Sequence, residues 1–376
     1  MNDLLTKDAD RVVEYDGQYV DMGRDGARPR QMLTGVLAVL AVLAILGGVC
    51  IIWIGKQLTP SGPIGDKVGT IEIPQNATIG DVAQLLEDKG VIVNASVFSW
   101  YIELRGTSAP KAGEYVGFQA NSSASEALKV LEKGPLQKNE SVLTIIPGNW
   151  LSDVLVSITK TFPALTEEKL KAALTDGSVK SKYMPSDKKS VLANWEGFIY
   201  PDTYRFDKKI TEVKILQALI NAQEKKLDSY GYGQAESSTG HTAYELITMA
   251  SLIERETGNA VEERGKIARV IYNRLAMPEK LFIDASNLYG LGKKKGALTQ
   301  SELETDNPYN LRKHAGLPPT AISLPGPYAL KAAIAPTEGP WVYYVIETDT
   351  PPTHFFTDNI DEFNAAKARA QAKGLI

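Results

Sequence analysis

Residues 242–257 read TAYELITMASLIERET, and their apolar positions recur with the spacing of an α-helix. Thr242 and Glu245 have the spacing of a capping box, in which each side chain binds the backbone amide of the other residue, so we expect the helix to begin there. With about 100° of rotation per residue, the side chains divide into two faces. The face predicted to be buried comprises Leu246, Met249, Ala250 and Ile253. The polar face comprises Tyr244, Thr248, Ser251 and Arg255.

Two glutamates, Glu254 and Glu256, lie near the end of this helix. Their side chains point about 160° away from each other around the helix axis, so they are not expected to share one site as a close pair. Each carboxyl group follows a row of apolar side chains along the helix. A carboxyl group beside apolar residues loses hydration, which raises its pKa and suits it to general-acid catalysis. From the pattern alone, the alternative is that both are solvated charges at a helix end.

The composition of the chain excludes several classes of protein. Its 376 residues, 43% hydrophobic and 23% charged, indicate a folded chain of about two to three domains. A net charge of −4 argues against a nucleic-acid partner, because phosphate binding usually requires a basic excess. Cys50 is the single cysteine, and the three histidines are far apart in the sequence without an HExxH pair. We therefore predict neither a metal site nor a cofactor.

The region before the folded domains has the features of a membrane anchor. Residues 32–55 contain no charged side chain, and a helix of that length spans the ~30 Å hydrocarbon core of a bilayer. Three arginines precede the run and a single lysine follows it, which predicts a cytoplasmic tail at 1–31 and an exported C-terminal part. The alternative is a cleaved signal peptide, but its apolar core would be only about 7–15 residues long. Residues 56–67, rich in proline and glycine, read as a linker.

The sequence that follows the linker predicts an α+β fold in two units, 68–137 and 138–376. For the first unit we predict strands at Val68–Ile73 and Gly113–Val116 and helices at Ile79–Lys89, Ser96–Arg105 and Ser125–Lys133. For the second we predict a strand at Val142–Pro147, helices at Leu151–Thr161, Glu167–Leu174 and Glu362–Ala372, and a strand at Trp341–Ile346 paired with His354–Thr357. The smaller unit could hold a polymer or space the larger one from the membrane.

Several segments together resemble one known family. Met249–Thr257 (MASLIERET) is similar to the active-site helix of the MltG (YceG-like) endolytic murein transglycosylases. The likeness continues through Trp195–Tyr204 (WEGFIYPDTY), Val270–Leu275 (VIYNRL), Gly316–Pro319 (GLPP) and Pro325-Gly326. It covers most of Trp195–Phe356. A weaker likeness over Val68–Pro135 places the smaller unit where the family has its LysM-like module.

This resemblance implies a peptidoglycan lytic transglycosylase that cleaves the β-1,4 bond between N-acetylmuramic acid (MurNAc) and N-acetylglucosamine (GlcNAc) of nascent strands. No water is added, and a 1,6-anhydroMurNAc end remains. It also implies an enzyme of the cell membrane that limits strand length beside cell-wall synthases of the elongation machinery. A non-catalytic peptidoglycan-binding scaffold and a hydrolytic muramidase remain the alternatives.

The resemblance also implies residue roles. Glu256 matches the catalytic acid/base of the family, with Glu254 as the reserve candidate. Candidates for orienting the sugar, for which structural hydrogen bonding is the alternative role, are Glu196, Arg274, Asp284, Tyr309 and Asn310. One departure is visible, because the chain reads Phe282-Ile283-Asp284-Ala285-Ser286 where the family usually has Gln-Ser/Thr-Asp-Pro-Thr. The aspartate is kept, but the sequence does not predict the shape of this loop.

Overall fold

The computed structural model describes residues 45–257, 260–277, 279–350 and 352–376, and it has a mixed α+β fold. The predicted tail at 1–31 and the first part of the predicted membrane span, 32–44, lie outside these residues. The remainder of the span belongs to a helix at 45–58 (α1), most of whose large apolar side chains are exposed. Within the ranges that the structure describes, no helix is both long enough and apolar enough to cross a membrane.

The smaller unit has its own hydrophobic core. Its elements are β1 (Ile71–Ile73), α2 (Ile79–Asp88), α3 (Ala95–Leu104), β2 (Gly113–Tyr115) and α4 (Ala124–Glu132). The two strands pair antiparallel, with Ile71 opposite Tyr115. Thr78 and Ser123 begin α2 and α4 with capping boxes. The predicted order of strands and helices is therefore confirmed, and these elements enclose a core that includes Val82, Leu86, Phe98, Ile102 and Phe118.

The larger unit is mainly helical. Its first half contains β3 (Glu140–Thr144), α5 (Leu151–Thr161), α6 (Glu167–Thr175), a 3-10 helix (Leu192–Trp195), β4 (Thr203–Asp207), α7 (Glu212–Tyr230), α8 (Ala235–Thr239) and α9 (Ala243–Thr257). Its second half contains a 3-10 helix (Val261–Glu263), α10 (Arg264–Ala276), α11 (Asp284–Gly290), α12 (Gln300–Leu303), α13 (Pro327–Ile334), β5 (Tyr343–Asp349), β6 (Pro352–Thr357) and α14 (Ile360–Ala372). Strands β3 and β4 pair antiparallel, as do β5 and β6. The predicted pairing of the last two strands is confirmed.

Helix α9 lies in the interior and packs against α10, α11 and α13. Its predicted capping box is present, with the Thr242 amide donating to Glu245 Oε2 at 2.8 Å and the Glu245 amide donating to Thr242 Oγ1 at 3.3 Å. The predicted apolar face is fully buried. The division into two faces was wrong, however, because Thr248 and Ser251 are buried as well. Ser251 Oγ accepts the Ile322 amide at 3.0 Å, so a hydroxyl here satisfies the backbone of a neighbouring segment.

Polar contacts join the linker and the smaller unit to the larger one. The Ile64 amide donates to the hydroxyl of Tyr328 in α13 at 2.9 Å, and Lys67 Nζ donates to the Ile145 carbonyl at 3.3 Å. From the other side, Arg205 Nη1 donates to the Gly134 carbonyl at 2.7 Å. The chain that leaves α1 is therefore attached to the unit that carries α9.

Candidate active site

Glu256 lies in the last turn of α9 and is partly buried. Its Oε2 accepts a hydrogen bond from the hydroxyl of Tyr344, in β5, at 2.6 Å. Burial raises the pKa of Glu256, and the charge of Asp284 raises it further. The Tyr344 hydrogen bond and the charges of His354 and Arg255 act in the opposite direction. The net effect is a carboxyl group that holds its proton to a higher pH than an ordinary glutamate.

Glu254 faces a different set of partners. Its Oε2 accepts the backbone amide of Gly326, at the start of α13, at 3.0 Å, and its Oε1 lies 3.5 Å from Arg264 Nη2. Burial raises the pKa of Glu254, whereas Arg264 and the Gly326 amide favour its ionised form. A Cβ atom at position 326 would lie 3.2 Å from Glu254 Oε2 and from Pro147 Cγ, so a glycine permits this close approach. The two carboxyl groups thus meet different elements, in agreement with their predicted separation around the helix.

Glu196 is the most deeply buried of the predicted site residues that carry a carboxyl group, at 3% exposure. Both of its oxygens lie within hydrogen-bond distance of the Leu151 amide, at 2.9 and 3.0 Å, and the hydroxyl of Tyr289 donates to Oε2 at 3.1 Å. The pKa of Glu196 is raised to about 8, because burial disfavours the charged form by more than these hydrogen bonds favour it. Glu196 therefore connects the start of α5 with α11.

Aromatic side chains extend from Glu196. The rings of Trp150 and Tyr289 pack edge to face with centroids 5.1 Å apart, and Tyr289 and Tyr309 pack in the same way at 5.1 Å. All three side chains are partly exposed. The Tyr309 hydroxyl lies 2.9 Å from Thr320 Oγ1. Glu196 and Tyr309, both predicted from sequence, are thus brought together through Tyr289.

Asp284 and Arg274 belong to the surroundings of Glu256. The Arg312 guanidinium binds both oxygens of Asp284, at 2.6 and 2.9 Å. Arg274 is buried and donates to the carbonyls of Lys280 and Val342, and its charge acts on the hydroxyl of Tyr344. The charges of both residues act on the Tyr344 hydroxyl, and the charge of Asp284 also acts on Glu256.

Asn310 has a local set of partners. Its side chain is fully buried and donates to the carbonyls of Leu303 and Thr305, at 3.0 and 2.7 Å. Its Oδ1 accepts the Arg312 amide at 3.1 Å. The side chain thus joins the end of α12 to the segment that supports Arg312.

The segment that departs from the family pattern has an unusual backbone. Phe282 has φ 56° and a half-exposed ring, with the guanidinium groups of Arg274 and Arg312 at 5.4 and 5.8 Å from the ring centroid. A left-handed conformation costs a non-glycine residue about 1–2 kcal/mol. Phe282 therefore adopts a locally unfavourable backbone conformation, in which its amide donates to the Leu311 carbonyl at 3.1 Å.

The sequence assigned no site role to Tyr344, Tyr289 or Trp150, although Tyr289-Gly290 also resembles the family. Residues 341–346 predict a strand, and its alternation places Tyr344 and Ile346 on one face. That pattern does not reveal that this face meets the end of α9. Trp150 lies in a short segment with no periodicity of its own, so no local signal identifies it.

The fold is α+β, and two desolvated carboxyl groups lie at the end of one buried helix. Each of them is a candidate general acid, so the site has the features of an acid-catalysing enzyme. The chain belongs to the YceG-like family, whose model matches residues 71–369. It is 28% identical over 348 residues to an endolytic murein transglycosylase of Streptococcus pneumoniae serotype 2, covering 86% of this chain and 62% of that protein. It is also 28% identical over 308 residues to an endolytic murein transglycosylase of Bacillus subtilis, covering 80% of this chain and 84% of that protein.

A crystal structure provides a further similarity. A yceG-like protein from Listeria monocytogenes matches 80% of this chain and 99% of its own, with a TM-score of 0.52 and 28% sequence identity. The chain spans 62% of the length of the streptococcal relative, so a large part of that protein has no counterpart in the match.

Proposed function

We propose that this chain is an endolytic murein transglycosylase that cleaves the β-1,4 bond between MurNAc and GlcNAc in nascent glycan strands. The product is a 1,6-anhydroMurNAc end, and the cut terminates strand elongation. The observation that carries this proposal is the match to two proteins named endolytic murein transglycosylase, over 86% and 80% of the chain. The chemistry available at the end of α9 supports it.

A single carboxyl group is sufficient for this reaction. Ordinary glycosidases need two, one as an acid and one as a nucleophile or base. Here the C6 hydroxyl of MurNAc attacks C1 of the same sugar, so the nucleophile is already tethered and has a high effective molarity. One glutamic acid gives its proton to the leaving oxygen, and its carboxylate then removes the proton of the C6 hydroxyl. Protons balance, and the acid is regenerated.

We assign this role to Glu256 and keep Glu254 as the reserve candidate. Glu254 receives hydrogen bonds from a guanidinium group and a backbone amide, and both favour its anion. Glu256 receives its hydrogen bond from a neutral phenol, and a neighbouring aspartate opposes its ionisation. An acid must hold its proton at the working pH, and the surroundings of Glu256 favour the protonated form.

The remaining predicted residues are proposed to orient the substrate. Tyr309, with the neighbouring rings of Tyr289 and Trp150, offers partly exposed aromatic surface to a sugar ring. Glu196 accepts a hydrogen bond from the Tyr289 hydroxyl and so helps to position that ring. Asp284 and Arg274 act near Glu256, and Asn310 shapes the segment next to Arg312.

The digestion of polymeric peptidoglycan by the full chain in detergent tests this function. Mass spectrometry of the released fragments should find anhydro ends, which are one water lighter than reducing ends. Glu256→Gln should remove these products while thermal unfolding is unchanged, and Glu254→Gln should retain them at a reduced rate. Reducing ends in the wild-type digest would identify a hydrolytic muramidase, and binding without release would identify a scaffold. Full activity of Glu256→Gln would move the acid to Glu254.

We also propose the placement of the chain in the cell. Residues 32–55 form a single membrane span with the tail 1–31 in the cytoplasm, and the linker 56–67 leads to two outward-facing domains. These are the LysM-like module at 68–137 and the catalytic domain at 138–376. The charge-free run and the exposed apolar side chains of α1 support the anchor, and the separate core of the smaller unit supports the boundary. This placement brings the enzyme beside the synthases that elongate strands at the membrane.

A further inference from the structure

Strands β5 and β6 bring two side chains of the same face together beside Glu256. Their register pairs Tyr344 with Phe356 and Ile346 with His354, so Tyr344 and His354 are diagonal neighbours across the hairpin. Their rings pack nearly perpendicular, at 80°, with centroids 5.7 Å apart. The Tyr344 hydroxyl, at the other end of its ring, donates to Glu256. The orientation of the His354 ring therefore affects where this hydroxyl lies.

His354 is itself held by Glu263, in the 3-10 helix that precedes α10. Glu263 Oε1 accepts the His354 backbone amide at 2.9 Å, and Oε2 lies 2.6 Å from His354 Nδ1. A carboxylate only accepts hydrogen bonds, so this contact places a proton on Nδ1. The two side chains are 15% and 11% exposed. Both contacts are thus shielded from water, and they attach the hairpin to the segment between α9 and α10.

We infer that Glu263 and His354 are positioning residues for the proposed acid: Glu263 fixes the His354 ring, the ring fixes Tyr344, and the Tyr344 hydroxyl orients the Glu256 carboxyl group. The inference rests on the proposed function for the catalytic role of Glu256, whereas the contacts among these four residues are independent of that function. Glu263 and His354 act through Tyr344, which carries the hydrogen bond to Glu256. In the proposed reaction one carboxyl group both protonates the leaving oxygen and removes the proton of the C6 hydroxyl. A fixed orientation of that group keeps it within reach of both oxygens.

The charges around Glu256 give this arrangement a measurable signature. Asp284 of α11 raises the pKa of Glu256, whereas Tyr344 of β5, His354 of β6 and Arg255 of its own helix lower it. Arg274 of α10 acts on the Tyr344 hydroxyl. Loss of the Glu263 contact should loosen two of the groups that lower the pKa of Glu256. The proposed acid should then titrate at a higher pH.

Glu263→Gln in the full chain tests the inference, with Glu262→Gln as its matched control. Glu262 is the exposed neighbour in the same 3-10 helix, and its substitution removes the same charge. We expect Glu263→Gln to lower kcat by up to about a hundredfold, the scale of a 1 Å misplacement, with KM within about twofold of the wild type. The alkaline limb of the pH profile should move to higher pH. Glu262→Gln should match the wild type in all three.

Two substitutions at His354 separate positioning from a general structural role. Asn keeps an N–H near the position of Nδ1 but lacks the ring that contacts Tyr344, whereas Phe keeps a ring but lacks the donor to Glu263. Each should lower kcat and move the alkaline limb to higher pH, with KM near that of the wild type. A wild-type kcat in either variant would overturn the inference, as would a raised KM with an unchanged pH profile.

A readout without turnover keeps this inference distinguishable from the proposed function. The carboxyl band of Glu256, obtained as the infrared difference between the wild type and Glu256→Gln, should titrate at higher pH when Glu263→Gln is introduced. A shift in a chain that releases no anhydro ends would support the positioning contacts and reject the function. Anhydro ends without a shift would support the function and overturn the positioning role.

Discussion

At the scale of single residues, two glutamates on one helix differ because their neighbours differ. Glu254 lies against an arginine and a backbone amide, whereas Glu256 lies against a phenol and near an aspartate. Burial raises the pKa of both side chains, so burial alone does not distinguish them. The character of the hydrogen-bond donor does, since a cationic donor stabilises a carboxylate more than a neutral one.

Glu196 gives a prediction at the same scale. Its folded-state pKa, about 8, lies above the ordinary value of 4.5, so between these pH values the native state binds more protons than the unfolded state. The contribution of Glu196 to stability must then fall as the pH rises through this window. We expect Glu196→Gln to make this fall shallower in thermal unfolding scans between about pH 5 and pH 8. The exposed Glu236→Gln should leave the slope unchanged, and an identical slope in both variants would contradict the burial of an ionisable group at 196.

At the scale of elements, α9 is a buried helix whose small polar residues serve the chain around it. Ser251 donates to the Thr248 carbonyl at 2.7 Å and accepts the Ile322 amide at 3.0 Å. Its own carbonyl lies 3.3 Å from the hydroxyl of Ser323. The segment before α13 is therefore attached to the middle of α9, and Gly326 of that segment reaches Glu254.

Ser251→Ala tests this attachment. The substitution leaves the buried Ile322 amide without its acceptor, which should cost about 1–3 kcal/mol of unfolding free energy. Ser229→Ala provides the control, because Ser229 is exposed on α7 and donates only to its own helix, at the Lys226 carbonyl. That control should change stability by less than about 0.5 kcal/mol. Chemical denaturation of the two variants measures the difference, and equal effects would show that the Ile322 amide finds another acceptor.

At the scale of the whole molecule, the linker connects the proposed membrane anchor to the active-site domain over a short distance. Five residues separate the end of α1 from Ile64, whose amide binds Tyr328. The ring of Tyr328 lies 5.7 Å from the guanidinium carbon of Arg264, the partner of Glu254. The segment that leaves α1 is therefore connected to Glu254 through Tyr328 and Arg264.

Two deletions test the anchor. Removal of residues 1–55 should release the protein from membranes into the soluble fraction, because the whole apolar run is lost. Removal of residues 1–31 alone should leave it in the membrane fraction, since the run is retained. Fractionation after an alkaline wash measures both. Release of the full-length protein, or a mature N-terminus after position 55, would contradict a retained span.

The sequence predicted those features that depend on neighbours along the chain. The capping box at Thr242 and Glu245, the order of elements in the smaller unit and the β5–β6 pairing follow from spacing and alternation, which act over a few residues. Glu254 and Glu256 were first noted from the helical pattern, and the resemblance of short motifs to a family then gave roles to them and to Glu196. Such motifs identify candidate side chains, but they do not identify the residues that form hydrogen bonds with them.

The tertiary structure alone decided what those side chains contact. The partner of Glu256 is Tyr344, the partners of Glu196 are Leu151 and Tyr289, and Ser251 is buried although its place on the helix indicated a polar face. Each of these pairings joins residues that lie tens of positions apart, and it depends on the path of the chain between them. Periodicity within one helix carries no information about that path. The local sequence therefore left open whether these carboxyl groups are desolvated or solvated, and the packing of distant elements determines both their burial and the groups that surround them.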